Sequence, residues 1–180
     1  MPTAFDEAFS RVKELVADFK ANENFYLSPQ FSEAQARKDY VDKFFMALGW
    51  DMNHDTQKNP YEQEVKIEKN ESGSQRRADY AFFLGPNFHD VRFFAEAKKP
   101  HGEFGTPDNY FQTLRYGWSG KTPLAILTNF EELHILDSRF KPNIGDTLSR
   151  VVKKIHLHRL RRFGEVRGDL LALFPRSRCQ

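Results

Sequence analysis

The sequence predicts a single α/β domain in which helices flank a central mixed β-sheet. Two observations support this fold class: amphipathic helical patterns open the chain, and short apolar segments bounded by turn residues follow them. A chain of 180 residues suits one domain of ordinary size. The apolar segments are nearly continuous, which indicates a sheet covered on both faces.

Three helices are predicted from periodicity and capping residues. Over Ala4–Ala21 apolar residues recur at steps of three and four. A second helix follows the N-cap candidate Ser32 and ends at Gly49, which suits a left-handed C-terminal position. Residues 22–30 form a connector. A third helix is expected over Thr106–Trp118, because Thr is a good N-cap and Pro follows at the first helical position.

Five strands are predicted between and after these helices. Their sequences are EVKIEK, RRADYAFFL, VRFFAEAKK, TPLAILTNF and ELHILDSR, and NESGSQ and GPNFHD form turns. A last helix is expected from about Thr147 to Leu160. Residues 151–180 carry eight Lys or Arg against two acids, so we expect a basic helical tail. Such a tail can contact phosphates or form a solvated helix face, and charge alone leaves both open.

Composition excludes several classes of protein. Hydrophobic residues make up 39% of the chain and the mean hydropathy is -0.67. No apolar run approaches the ~20 residues that span a bilayer, and the opening residues lack the apolar core of a secretory signal. We therefore expect a cytoplasmic protein without a membrane partner. The single cysteine, Cys179, excludes a disulfide framework and a thiolate metal cluster.

Three charged residues lie inside the predicted apolar strands, where a sheet would not place them for stability. They are Asp79, Glu96 and Lys98. If Leu84 pairs with Val91 across the hairpin, the same register sets Asp79 opposite Glu96, with Cβ atoms ~5 Å apart. Two such carboxylates repel unless a cation lies between them, and their oxygens suit Mg²⁺. Lys98 projects from the same face and can stabilise a developing charge or hold an attacking water.

For an acid-x-Lys triplet taken alone, a structural cluster of ion pairs is the better interpretation, and the hairpin geometry and apolar setting favour a functional one. Glu64 on the first strand is a weaker candidate ligand. His156 and His158 are two residues apart in a predicted helix, which favours surface or structural roles over metal binding. His101 follows the acid-x-Lys segment, and a surface loop position is favoured over a phosphate contact.

The segments RKDYVDKFFMALGWD, RADYAFF, FFAEAKKP, QTLRYGWS and PLAILTNFEELHILD occur in this order. Together they resemble the PD-(D/E)XK restriction-endonuclease-like nucleases, and most closely the N-terminal nuclease segment of type IIG restriction and modification proteins. Type I restriction subunits share the Gln-x-x-x-Tyr pattern that Gln112 and Tyr116 match. The resemblance covers about residues 30 to 140, and it identifies residues 1–150 as the nuclease domain.

The resemblance implies roles for individual residues. Asp79 and Glu96 would ligate Mg²⁺, for which Mn²⁺ can substitute, with help from the backbone carbonyl of Ala97. Lys98 would position or deprotonate water, Gln112 would orient the site or touch DNA, and Tyr116 would support it. Glu33 matches a helix acid that lies close to the metal in the family, and Arg37 follows one turn later. A surface ion pair between these two is an equally good interpretation.

The expected function is Mg²⁺-dependent hydrolysis of DNA phosphodiesters in a restriction-modification system. The alternative is a catalytically silent DNA-binding or scaffold module that keeps the fold. Type IIG proteins continue into methyltransferase and target-recognition domains, which do not fit in 180 residues. We therefore expect a fragment or a truncated form, with DNA and possibly those domains as partners.

Overall fold

The computed structural model describes residues 4–56, 59–67 and 77–157, together with residues 170 and 173. Six strands form one sheet: β1 (Val65–Ile67), β2 (Tyr80–Phe83), β3 (Val91–Ala97), β4 (Leu124–Thr128), β5 (Glu132–Asp137) and β6 (Val151–His156). They lie in chain order, and only the β3–β4 pair is parallel. The predicted α/β class with a mixed sheet flanked by helices is confirmed, and it is consistent with a restriction-endonuclease-like fold.

The first helices cover one face of the sheet. Helix α1 (Ala4–Ala21) has the predicted bounds, and a short α2 (Glu23–Tyr26) occupies part of the predicted connector. The next helical run is α3 (Glu33–Ala36), a π-helical turn (Arg37–Val41) and α4 (Asp42–Ala47). Its start and end match the predicted signals. Ser32 and Gln35 form a reciprocal capping box, and Gly49 adopts a φ of 98°.

Helix α5 (Pro107–Ser119) covers the opposite face and provides the crossover between the parallel strands β3 and β4. Thr106 accepts a hydrogen bond from the Asn109 N–H, as expected of an N-cap. Successive side chains along a strand point to opposite faces of the sheet, so each strand contributes apolar residues to a core on either face. Ile126 packs with the core beneath α1 and α4, whereas Leu127 packs with Tyr110 and Leu114 of α5.

The β2–β3 hairpin has the predicted register at one end and not at the other. Tyr80 faces Ala95 and Phe82 faces Phe93, which extends to Asp79 opposite Glu96. At the turn, Phe83 rather than Leu84 pairs with Val91, because a bulge lies between Phe82 and Phe83. The irregularity is confined to the turn end, so the functional end of the hairpin keeps its predicted pairing.

The helix predicted from Thr147 to Leu160 is wrong. Residues Ile144–Arg150 form a 3₁₀ helix, and Val151–His156 form β6, which pairs antiparallel with β5. The part of the proposed helical tail that begins at Val151 is therefore an edge strand of the sheet. The predicted turn NESGSQ and nearly all residues from 158 onward lie outside the described residues. In the described part of the chain, no helix is both long and apolar enough to cross a membrane.

Gly117 fixes the distance between α5 and the sheet. A Cβ at this position would collide with the side chain of Ser138 and lie 3.1 Å from Cβ of Ala125. We expect Gly117→Ala to lower the free energy of unfolding by about 1–3 kcal/mol, because the helix must move away from the strands. Urea denaturation measures this change. Ser119→Ala, at an exposed position of the same helix, is the control, and equal stabilities of the two variants would contradict this account.

Candidate functional site

The predicted acids meet where β2 begins and β3 ends. Asp79 immediately precedes β2, and its Oδ2 accepts the backbone N–H of Ala97 over 2.8 Å. Glu96 is the penultimate residue of β3, and Lys98 follows the strand. The hairpin register thus brings Asp79, Glu96 and Lys98 together, as the sequence predicted.

Glu96 is the centre of this cluster. Its side chain is 5% exposed, and its Oε1 accepts hydrogen bonds from Lys98 Nζ and Gln112 Nε2, each over 2.8 Å. The other oxygen, Oε2, is buried and has no hydrogen-bond partner among the described residues. A buried carboxylate oxygen without a partner is costly unless another group binds it.

Helix α5 supplies the polar wall of the site. Gln112 and Tyr116 lie one turn apart, and Gln112 Nε2 also donates to the Tyr116 hydroxyl over 3.0 Å. The two N–H groups of one amide therefore connect Glu96 to Tyr116. The Gln-x-x-x-Tyr spacing brings both residues to the site, and their functional roles stay predictions.

Arg37 of the π-helical turn neutralises Asp79. Its NH1 lies 2.6 Å from Asp79 Oδ1, and its guanidinium stacks over the Tyr80 ring at 5.2 Å. The Tyr80 hydroxyl donates to Asp42 on α4 over 2.7 Å. Arg37 thus contacts the site directly through Asp79, whereas the sequence suggested only its position one turn after Glu33. Arg37 lies in a π-helical turn, and such turns occur often at functional sites.

Burial is the main cause of the raised pKa values of two acids at the site, Glu96 and Glu33. Burial and the charge of Asp79 raise the pKa of Glu96 to about 7, although Lys98 acts in the opposite direction. Burial also raises the pKa of Glu33, where Lys98 opposes it and Asp79 adds to it. Glu33 is therefore within the field of the site, and its proposed ligand role stays a prediction.

Lys98 remains a cation. Burial lowers the pKa of its ammonium, but the charge and hydrogen bond of Glu96 outweigh that effect, so the pKa is raised overall. A protonated Lys98 can donate hydrogen bonds and stabilise negative charge.

The remaining candidates lie in other settings. Glu64 is buried and its Oε2 accepts the backbone N–H of Asp51, in the loop after α4. His101 is exposed in a loop. His156 lies in β6, with Nδ1 3.7 Å from Glu132 Oε1, rather than on a helix. His158 is outside the described residues.

The sequence did not predict a buried polar network that is centred on His134 of β5. Its Nδ1 lies 2.9 Å from the Tyr110 hydroxyl, and its Nε2 lies 2.8 Å from Glu132 Oε2. Burial lowers the pKa of His134 despite the nearby Glu132. The network ties the first turn of α5 to the sheet. A polar residue within the apolar run of ELHILD was the available signal.

The residues at the hairpin fit a divalent metal ion in their chemistry. Two carboxylates and a backbone carbonyl are hard oxygen donors of the kind that Mg²⁺ prefers, and Glu96 Oε2 is the buried atom that lacks a partner. Over the described ranges, no group of three or more His, Cys, Asp or Glu side chains is gathered closely enough to hold a metal. Any metal bound here would therefore rely on Asp79 and Glu96, with backbone, water or substrate oxygens as further ligands.

The fold and the site define an α/β domain with a buried acid pair, a lysine and a glutamine at the end of a hairpin. No family model matches the chain, and no solved structure matches it significantly. The chain is 34% identical over 132 residues to the type II restriction enzyme and methyltransferase RM.Eco57I of Escherichia coli. The alignment covers 71% of this chain and 13% of that relative. This similarity supports a protein related to restriction-modification enzymes.

The raised pKa of Glu96 can be tested with two substitutions of opposite effect. Asp79→Asn removes a charge that raises the pKa, so the pKa should fall below about 7. Lys98→Met removes the cation that lowers it, so the pKa should rise. Titration of the side-chain carboxyl ¹³C resonance of Glu96 measures both values. Lys99→Met, at the exposed neighbouring position, should change the pKa much less.

The raised pKa of Glu96 makes the free energy of unfolding depend on pH. Because the folded value of about 7 lies above the ordinary 4.5, the folded state holds this proton more tightly than the unfolded state. The contribution of Glu96 is therefore fully present below pH 4.5 and is lost as the pH rises through about 7. Asp79→Asn should narrow the pH range, from 4.5 to about 7, over which the free energy of unfolding changes with the protonation of Glu96. If neither this pH range nor the pKa measured from the Glu96 ¹³C resonance changed, the described coupling of the two acids would be contradicted.

Proposed function

We propose that this chain hydrolyses DNA phosphodiester bonds in a Mg²⁺-dependent reaction, as the nuclease part of a restriction-modification system. The observation that carries this proposal is the buried Glu96, which lies opposite Asp79 and holds Lys98 and Gln112 on one oxygen while its other oxygen lacks a partner. A purely structural cluster would be expected to satisfy both oxygens. The similarity to a restriction enzyme and methyltransferase supports the same function.

Asp79, Glu96 and the carbonyl oxygen of Ala97 are the proposed ligands of Mg²⁺. When bound, the metal supplies positive charge that polarises a phosphate and lowers the pKa of a water molecule. Glu96 must be deprotonated to act as a ligand. Its pKa of about 7 therefore makes binding weaker in acid and stronger toward neutral pH.

Lys98 is proposed to orient water and to stabilise negative charge rather than to accept a proton. Its pKa is raised, so it carries a proton at neutral pH and has N–H groups to donate. Gln112 holds the Glu96 carboxylate in place, and Tyr116 in turn accepts from Gln112. Gln112 directly and Tyr116 indirectly thereby orient Glu96, a proposed metal ligand.

Arg37 is proposed to act as the countercharge of Asp79. The ion pair lies over 2.6 Å with both side chains largely buried, at 14% and 10% exposure. A divalent ion at Asp79 competes with this guanidinium electrostatically. Arg37 therefore sets how tightly the site holds its metal.

DNA, a methyltransferase and a target-recognition domain are the proposed partners. The relative is named as both restriction enzyme and methyltransferase, and this chain spans 13% of its length. In this proposal such domains supply methylation and sequence recognition.

Plasmid nicking tests the proposed activity. With Mg²⁺ or Mn²⁺ the protein should convert supercoiled plasmid to the open circular form. Lys98→Ala and Asp79→Ala should each reduce the rate by about 100-fold or more, because each removes a charge from the reacting centre. Agarose gel electrophoresis over time measures the rates.

Lys13→Ala is the matched control for nicking, since it removes an exposed lysine from α1 on the opposite face of the sheet. It should retain full activity. Equal rates in all four proteins would assign the cleavage to a contaminant or another site. An inactive wild-type protein that still retards DNA in a gel would instead favour the silent binding module.

Mn²⁺ binding tests the metal site without cleavage. Titration calorimetry should show binding to the wild type that strengthens up to about pH 7, the pKa of Glu96. Glu96→Gln should abolish it. Arg37→Met should tighten it by about three- to tenfold, because a competing cation has been removed. Lys13→Met should leave it unchanged, and weaker binding to Arg37→Met would show that the arginine builds the site instead of competing with the metal.

A further inference from the structure

A groove of about 1120 Å³ begins at the wall of the candidate site. Gln112 and Tyr116 line it, and Gln112 also donates to Glu96. This volume is near the upper end of the ~300–1,000 Å³ typical of ligand pockets. The groove therefore has room for a segment of a polymer that passes the site.

The floor of the groove is the part of the sheet that α5 leaves uncovered. Lys66, Ala81 and Phe94 are cross-strand partners on β1, β2 and β3 and thus share one face. Phe94 and Glu96 share that face as well, because they are two residues apart on one strand. The floor is continuous with the candidate site.

Helix α5 forms the opposite wall and approaches the floor closely at its end. Gly120 lies over the Phe94 ring, where a Cβ would collide with the ring. Phe111 and Arg115 face the groove one turn apart, and the Arg115 guanidinium lies 6.0 Å from the Phe111 ring centre. Partly exposed aromatic rings, Phe94 and Phe111, are thus present on both the floor and the wall.

The charge of the groove favours a polyanion. Among the described residues that line it, Lys66, Arg77 and Arg115 are basic and Asp108 is the only acid. Lys66 lies over the Phe83 ring at 4.5 Å. Within the described ranges, neither Lys66 nor Arg115 forms an ion pair with a carboxylate. Both cations can therefore contact phosphates.

We propose that this groove binds an unpaired segment of the DNA strand next to the phosphate that is cleaved. Cations that follow a backbone, combined with exposed aromatic faces, are the features by which proteins hold single strands. The bases of an intact duplex are stacked inside it, so Phe94 and Phe111 would contribute little to duplex binding. This inference rests on the proposed function, because it takes the hairpin site as the point of cleavage.

Fluorescence anisotropy with a labelled oligothymidine of about 12 nucleotides, a length that single-strand grooves cover, tests the groove directly. EDTA prevents cleavage. Phe111→Leu should weaken binding by about 5- to 100-fold, and Phe111→Tyr should restore it, because a tyrosine ring also stacks.

Arg115 tests the phosphate contact. Arg115→Ala should weaken binding and should reduce the slope of log affinity against log salt by about 0.7, the value for one phosphate of a single strand. Arg115→Lys should keep the slope. Arg11→Ala, which removes an exposed arginine from α1, is the matched control and should change neither quantity. Circular dichroism establishes that each variant is folded.

The outcomes separate this proposal from the proposed activity. Normal strand binding by Phe111→Leu and Arg115→Ala, or no strand binding by the wild type, would overturn the groove whether or not the protein nicks plasmid. If the protein bound duplex more tightly than the single strand, and if the two substitutions weakened only duplex binding, the proposal that the groove holds an unpaired strand would be wrong. Strand binding with the expected losses supports the groove even if nicking fails.

Discussion

Two carboxylates buried next to each other are the constraint around which this structure is organised. Desolvation and the neighbouring charge of Asp79 penalise the charged form of Glu96, and its pKa of about 7 reflects that penalty. Arg37, Lys98, Gln112 and the Ala97 N–H offset it by charge and hydrogen bonds. The offset is incomplete, because Glu96 Oε2 has no partner among the described residues.

These compensating groups come from three parts of the fold. The hairpin places Glu96, Lys98 and the Ala97 N–H, the π-helical turn places Arg37, and the crossover helix α5 places Gln112. The elements pack on opposite faces of the sheet and meet at its functional end. A substitution that changes the packing of one helix therefore changes the charges and hydrogen bonds around Asp79 and Glu96, even if the substituted residue contacts neither acid. The His134 network and Gly117 matter to the site for this reason, since both fix α5.

The sequence predicted the central part of this arrangement because local rules decide it. Alternation and hairpin pairing suffice to set Asp79 opposite Glu96, and the four-residue spacing suffices to place Gln112 beside Tyr116. The bulge at Phe83 and the contact of Arg37 with Asp79 depend on tertiary packing, which one sequence does not contain. The failure at β6 has a specific cause: Leu148, Val151, Val152 and Ile155 are spaced like one helix face, but pairing with β5 prevails. Strand β6 lies at the edge of the sheet, where exposed lysines such as Lys153 and Lys154 are common.

The charges of the cluster connect the proposed metal site to the proposed groove. With both acids ionised, Asp79 and Glu96 are balanced by Arg37 and Lys98. A divalent cation adds two positive charges to a largely buried site, which is costly unless an anion accompanies it. In the proposed reaction a DNA phosphate would supply that anion, and the cations of the proposed groove would hold the same strand in place. In this scheme metal and DNA binding reinforce each other. In this proposal the groove contacts the strand beyond the cleaved phosphate, so a polymeric phosphodiester makes contacts that a single phosphodiester lacks.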